Sequence, residues 1–246
     1  MMRVDIIPCL SDNYAYVLID DAAQECAVVD ASEEGPLSTV LARVGLPLTA
    51  ILSTHHHFDH VGANEALLAA HPRAVVYGHR SDVGRLPGLS RPLEDGARFT
   101  FGTCEVRAHH VPGHTLGALA YEVRTQYGAR WLFTGDTLFL AGCGRLFEGT
   151  AAQMFASLRK LAALGDDVLV ACGHEYTLSN LRFAAHVEPG NEMITERLAE
   201  ESARRQRGEP TVPAPLSYEK ATNPFLRAPD VSTFAARRAE KDGFRG

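Results

Sequence analysis

Short apolar runs broken by Gly, Pro, Asp and Asn fill the first two thirds of the chain. Residues 4–7, 14–19, 27–29, 50–52, 74–77, 105–111, 119–123, 131–133 and 168–171 have the length and composition of strands. The first strands follow one another with no helix between them. Helical patterns then interleave, over 35–43, 60–70 and 151–164. In the last of these, Met154, Leu158, Leu161 and Leu164 fall on one face. Strands with interspersed helices predict an α/β layered domain built on a mixed sheet. After Gly173 the strand pattern stops, and 178–187, 192–206 and 232–241 read as helices punctuated by prolines. The expected division is a strand-rich domain over 1–172 and a smaller helical one over 173–246.

Charge sharpens that division. The net charge of −6 lies before Gly173, with 13 basic and 19 acidic side chains, while the remainder carries 11 of each. A mildly acidic chain is not expected to bind nucleic acid. No run approaches the roughly 18 apolar residues of a membrane span, and the N-terminus does not read as a signal peptide. Five scattered cysteines without a CxxC motif predict neither a disulfide framework nor a zinc finger. Cys143 reads as a small buried residue rather than a nucleophile. A monomer in the reducing cytoplasm is the expectation.

Eleven histidines in 246 residues are many, and their placement is informative. The string THHHFDH at 54–60 follows an apolar strand and precedes a helical pattern. In extended backbone alternate side chains face the same way, so His55 and His57 point to one spot and His56 points away. Asp59 and His60 open the next helix and reach a second, adjacent spot. His114 lies in a Gly/Pro turn after a strand, while Asp136 and His174 each end or follow a strand. Loops at one end of a sheet are where sites are built. Imidazoles with carboxylates suit zinc, iron or manganese. These seven residues suffice for two metals sharing one carboxylate.

This order of ligands resembles the metallo-β-lactamase superfamily, which implies an αββα sandwich with a binuclear site on one edge. The resemblance implies that His55, His57 and His114 hold one divalent ion and that Asp59, His60 and His174 hold a second, most fittingly zinc. Asp136 would bridge the two, together with a hydroxide. Further strings narrow the resemblance: LSDNYAY at 10–16, GDTLF at 135–139, AGCGR at 141–145, CGHEYT at 172–177, NPF at 223–225 and RAEKD at 238–242. They are similar to the glyoxalase II, or hydroxyacylglutathione hydrolase, family over nearly the whole chain. That implies hydrolysis of the thioester S-D-lactoylglutathione to glutathione and D-lactate, with Asp59 and Asp136 serving the metal-bridging hydroxide. It also implies that Arg145, Tyr176, Arg238 and Lys241 contact the glutathione moiety.

An anionic substrate on an acidic protein needs local cations. Arg145 follows Asp136 closely in a glycine-rich loop, and Arg238 and Lys241 are three apart on a helical pattern, hence on one face. Arg145 stands where some relatives carry lysine, and Phe147 where some carry tyrosine. A thiolate is a good leaving group, so no strong general acid is required. Tyr121 and Thr115 are candidates to support the ligands. The alternatives are a mononuclear-iron glutathione persulfide dioxygenase, a lactonase of the same superfamily, and a binding protein that retains the metal site.

Overall fold

The computed structural model describes residues 2–245. The chain starts as an antiparallel ribbon, β1 (Met2–Cys9), β2 (Asn13–Asp20) and β3 (Glu25–Val29). Helix α1 (Glu34–Val44) then leads to β4 (Leu48–Leu52), helices α2 (Phe58–Val61) and α3 (Asn64–Ala70), β5 (Val75–His79) and β6 (Leu89–Leu93). These six strands form one mixed sheet in sequence order. A second sheet begins with β7 (Arg98–Phe101), β8 (Cys104–His110), β9 (Leu119–Arg124) and β10 (Arg130–Gly135). A two-stranded ribbon, β11 (Leu138–Phe139) and β12 (Gly142–Cys143), and helix α4 (Ala151–Ala162) lead to β13 (Leu169–Cys172), which pairs parallel to β10. The C-terminal part holds α5 (Thr177–Val187), α6 (Glu192–Gln206), β14 (Ala214–Pro215), α7 (Leu216–Thr222) and α8 (Val231–Gly243).

Period-two alternation explains the layering. On β2, Tyr14, Tyr16 and Leu18 join the core shared with the second sheet, while Ala15, Val17 and Ile19 face α1 and α3. On β3, Ala27 and Val29 point inward, and Cys26 and Val28 point to the helices. A strand buried on both faces reads as a continuous apolar run, which these do. On the far side α4 lays Met154, Leu158 and Leu161 against the second sheet. Its start is fixed by a capping box in which the Thr150 side chain accepts from Gln153 N and Gln153 reaches back to Thr150 N. The architecture is the expected αββα sandwich followed by helices.

Three local expectations change. The predicted helix over 60–70 is two helices, because the chain breaks at Gly62–Ala63, where Ala63 N donates to the Ala31 carbonyl at 2.8 Å. A Cβ on Gly62 would sit 3.0 Å from the carbonyls of Phe58 and Ser32, so the break passes close to other backbone. The strand pattern does not stop at Gly173: β14 adds two residues to the edge of the second sheet beside β13. Strands β6 and β7 are not among the expected strands: β6 is an edge strand with three exposed residues and a proline, and β7 alternates Arg98, Phe99, Thr100 and Phe101 over four residues only. Among the described residues no helix is long and apolar enough to cross a membrane.

Candidate metal centre

The loops after β3, β4, β8, β10 and β13 meet at one edge of the sandwich, with the β1–β2 turn beside them. Short backbone bonds knit this edge together. Leu119 N donates to Thr54 O at 2.8 Å, Gly173 N to Gly135 O at 3.0 Å and Tyr14 N to Gly173 O at 2.8 Å. His57 is extended and caps α2, which starts the helix two residues before Asp59 and His60 turn inward. His56 points away, as alternation requires, and faces Asp82 at 3.7 Å and Glu148 at 3.6 Å.

All seven predicted ligand side chains converge. His57 Nδ1 lies 3.1 Å from His55 Nε2 and 3.0 Å from His114 Nε2. In the neighbouring group, His174 Nε2 lies 3.3 Å from His60 Nε2 and 3.4 Å from Asp59 Oδ2. Asp136 stands between the groups: Oδ1 is 3.3 Å from His60 Nε2, and Oδ2 is 3.5 Å from His114 Nε2 and 3.3 Å from His174 Nε2. Ligands at 2.0–2.1 Å from a tetrahedral ion are separated by about 3.3–3.4 Å, so these spacings fit a first-row divalent metal. The buried Asp136 Oδ1 has no hydrogen-bond partner among the described residues, a cost that a cation removes.

Glycines allow this closeness. A Cβ on Gly173 would lie 2.6 Å from both Asp136 Oδ1 and His60 Cε1. Gly173→Ala is therefore expected to spread the two ligands and weaken metal binding roughly 10–100-fold, the range for disturbing groups that orient a metal site. Competition with a chelator measures it.

Four of the five imidazoles are aimed by a bond at the other nitrogen, as is usual for metal-ligating histidines. His60 Nδ1 lies 2.9 Å from Asp30 Oδ2, His174 Nδ1 2.8 Å from Asp12 Oδ1, His114 Nδ1 2.8 Å from the Arg145 carbonyl and His55 Nδ1 3.0 Å from Thr54 Oγ1. Asn13 Nδ2 donates to Asp59 Oδ2 at 3.0 Å. Asp30 and Thr54 were not singled out from the sequence. The available signal was an aspartate ending the apolar run 26–29. Tyr121 is buried and its hydroxyl donates to the Ser53 carbonyl at 3.0 Å, below the histidine loop. Thr115 Oγ1 is buried and touches no ligand by a hydrogen bond.

The two groups differ electrostatically. Burial pulls His55 and His114 down and His57 down to about 4, so these imidazoles are neutral at pH 7 with lone pairs free. Burial also opposes charge on His60 and His174. There the carboxylates win: Asp136 and Asp30 hold His60 well above its usual value, and Asp136 and Asp59 push His174 to about 10. A field that favours a proton also favours a divalent cation, and a cation held by His60 and His174 would displace protons from them.

Beside the ligands opens a cleft of about 390 Å³, lined by His114, Asp136, Phe147, Tyr176, Arg238 and Lys241 among others. Arg145, Tyr176, Arg238 and Lys241 all reach it. Tyr176 stacks on His174 with ring centres 4.8 Å apart. Arg238 is buried and donates to the Cys143 carbonyl at 2.7 Å. Lys241 Nζ donates to Ser179 O and Oγ at 3.0 Å. Arg145 has a second role not anticipated, since its carbonyl aims His114 while its side chain stays more than half exposed. Phe147 sets its ring edge-on to His57 and His114. Cys143 is buried, and burial pushes its thiol to about 11, too high for a nucleophile.

Comparison with known proteins agrees with this geometry. The model for the metallo-beta-lactamase superfamily matches residues 12–174, and that for the hydroxyacylglutathione hydrolase C-terminus matches 175–244. Hydroxyacylglutathione hydrolase from Gloeobacter violaceus is 51% identical over 92% of this chain and 88% of its own. Among solved structures, ETHE1 from Myxococcus xanthus superposes with a TM-score of 0.72 over 97% of this chain and 90% of its own, at 24% identity, a likeness of fold. TTHA1623 in a di-iron-bound form does so with a TM-score of 0.62 at 26% identity, over 89% of this chain and 98% of its own. With ligands, cleft and helical C-terminal part all accounted for, the chain belongs to the hydroxyacylglutathione hydrolase family of the metallo-beta-lactamase superfamily.

Proposed function

We propose that this chain hydrolyses the thioester of S-D-lactoylglutathione to glutathione and D-lactate, using two divalent metals, zinc fitting best and iron or manganese also suited. The observation that carries the reading is one edge on which seven candidate ligands gather beside a cleft that His114 and Asp136 line together with Arg145, Arg238 and Lys241. The name shared by close relatives over nearly their full length supports it.

In this reading His55, His57 and His114 would hold one ion and Asp59, His60 and His174 the other, with Asp136, which stands between the two groups, available to both. When bound, such ions supply a Lewis acid and lower the pKa of a water from 15.7 to about 7. The protein's own part is positional. Asp30, Asp12, Thr54 and the Arg145 carbonyl fix the imidazoles, and Asn13 orients Asp59. The cations of the cleft hold the carboxylates of the glutathione moiety so that its thioester lies toward Asp136. The departing thiolate, with a thiol pKa near about 8.5, leaves without a proton donor. All seven ligands come from one chain, so a single copy carries a complete site. Five buried free cysteines fit a reducing cytosol. Residues 1–172 then form the unit that bears six of the seven ligands, and 173–246, which opens with the seventh, His174, the substrate-holding one.

Burial and the neighbouring Arg238 charge pull Lys241 down to about 8. Its cation is present below that pH and lost above it. The kcat/KM for an anionic thioester should therefore fall as pH rises through about 8, and Lys241→Ala should flatten this limb. The same variant should raise KM about tenfold, the worth of a hydrogen bond to a charged group, with a smaller change in kcat. An unchanged KM would remove Lys241 from the substrate site.

Release of free thiol from S-D-lactoylglutathione, with oxygen uptake on glutathione persulfide as comparison, tests the proposal. Thiol release without oxygen consumption is expected. Oxygen consumption with no thioester hydrolysis would replace the reading.

A further inference from the structure

Two arginines from distant parts of the chain close on one carboxylate oxygen in the cleft. Arg238 Nη2 donates to Asp242 Oδ1 at 2.8 Å, and Arg145 Nε donates to the same atom at 3.3 Å. Asp242 lies one turn beyond Arg238 on α8 and lines the cleft together with His114 and Asp136. The pairing leaves capacity unused. Among the described residues the buried Nε of Arg238 has no partner, and Asp242 serves both guanidinium groups through a single oxygen. A guanidinium offers a fork of donors that a carboxylate matches best through both oxygens, and here two such groups meet at one point.

We propose that Asp242 is an internal stand-in for a substrate carboxylate. It joins Arg145 to Arg238 across the cleft and is displaced when an anionic thioester takes the same two cations. It thereby sets how strongly the cleft prefers thioesters carrying carboxylates over uncharged ones. This inference rests on the thioesterase reading above.

The direction of the effect follows from what else holds the arginines. Arg238 is anchored without Asp242, by its bond to the Cys143 carbonyl and by its place 5.1 Å above the Phe225 ring. Its position does not depend on the carboxylate. Arg145 keeps more than half of its side chain in solvent, so freeing it leaves it able to reach a ligand. Removing the Asp242 charge therefore removes a competitor more than it removes a support. Asp242 has 37% of its side chain exposed, so the gain is that of a partly screened pair and shrinks with added salt.

The test compares wild type with Asp242→Asn and Asp242→Ala, each metal-loaded, on S-D-lactoylglutathione and on an uncharged lactoyl thioester of N-acetylcysteamine. The ratio of kcat/KM for the charged over the uncharged thioester should rise about two- to fivefold in both variants. The rise should lie in KM and diminish at high salt. Inhibition by S-methylglutathione should tighten by the same factor. A ratio unchanged or lowered in both variants, in a wild type that hydrolyses the glutathione thioester, overturns the inference alone. A wild type that neither hydrolyses that thioester nor binds S-methylglutathione overturns the thioesterase reading, and this inference with it.

Discussion

Asp136→Ala is expected to remove bound metal and thioester hydrolysis together. Asp136 is the side chain that approaches ligands of both groups, His60 and His174 on one side and His114 on the other. It is buried, and its Oδ1 has no hydrogen-bond partner among the described residues. Without it, five imidazoles crowd together with only Asp59 to offset divalent charge. Metal content should fall to half of the wild-type level or less. Metal-assisted attack is worth several kcal/mol, so hydrolysis should drop by about 10³-fold or more. Elemental analysis and an activity assay on the same sample read both quantities. Metal retained at the wild-type level would show that Asp136 does not hold it.

Asp30→Ala is expected to be nearly as damaging, although Asp30 touches no metal in this reading. Its Oδ1 accepts from Thr54 N at 2.7 Å, and its Oδ2 accepts from Thr54 Oγ1 at 2.8 Å and pairs with His60 Nδ1 at 2.9 Å. Asp30 itself sits at φ 52, a left-handed conformation that aspartate tolerates better than most residues. Alanine would leave buried donors unpaired, at about 1–3 kcal/mol each. A loss of about 3 kcal/mol lowers the unfolding midpoint by roughly 6–12 °C in a chain of this size. It would also release the His60 ring, and metal affinity should fall about 10–100-fold. Asp30→Asn keeps the acceptor for Thr54 N but not the charge, and should lie between. Thermal unfolding and chelator competition separate the two effects. Unaltered metal affinity in Asp30→Ala would mean that His60 is aimed by something else.

Four of the ligands were legible from local rules, while His114, Asp136 and His174, on distant segments, were joined to them by their strand-end positions and by the family resemblance. Alternation alone sends His55 and His57 one way and His56 the other, and the turn into α2 places Asp59 and His60. The layered α/β domain was legible from apolar runs such as those of β2 and β3, and the sandwich itself from the family resemblance. What stayed hidden depends on contacts between distant segments. Asp30 gains its role only because β3 ends beside the loop after β4, and Asp12 only because the β1–β2 turn lies against the loop after β13. The burial of Arg238 follows only from α8 packing beside β12, where the Cys143 carbonyl accepts from its guanidinium. The break between α2 and α3 follows from the closeness of Ala31, which no periodicity reports. Strands β6 and β14 sit at sheet edges, where few side chains are buried and the apolar signal vanishes.

The central claim is that this edge of the sandwich hydrolyses a glutathione thioester only when metal is bound. The direct measurement is to strip the protein with a chelator, return zinc stepwise, and follow bound metal and hydrolysis of S-D-lactoylglutathione in the same sample. The expected result is activity near zero at the start, rising with occupancy and levelling as the chain takes up two ions, with no such rise in Asp136→Ala. Hydrolysis at the full rate in the stripped protein would contradict it.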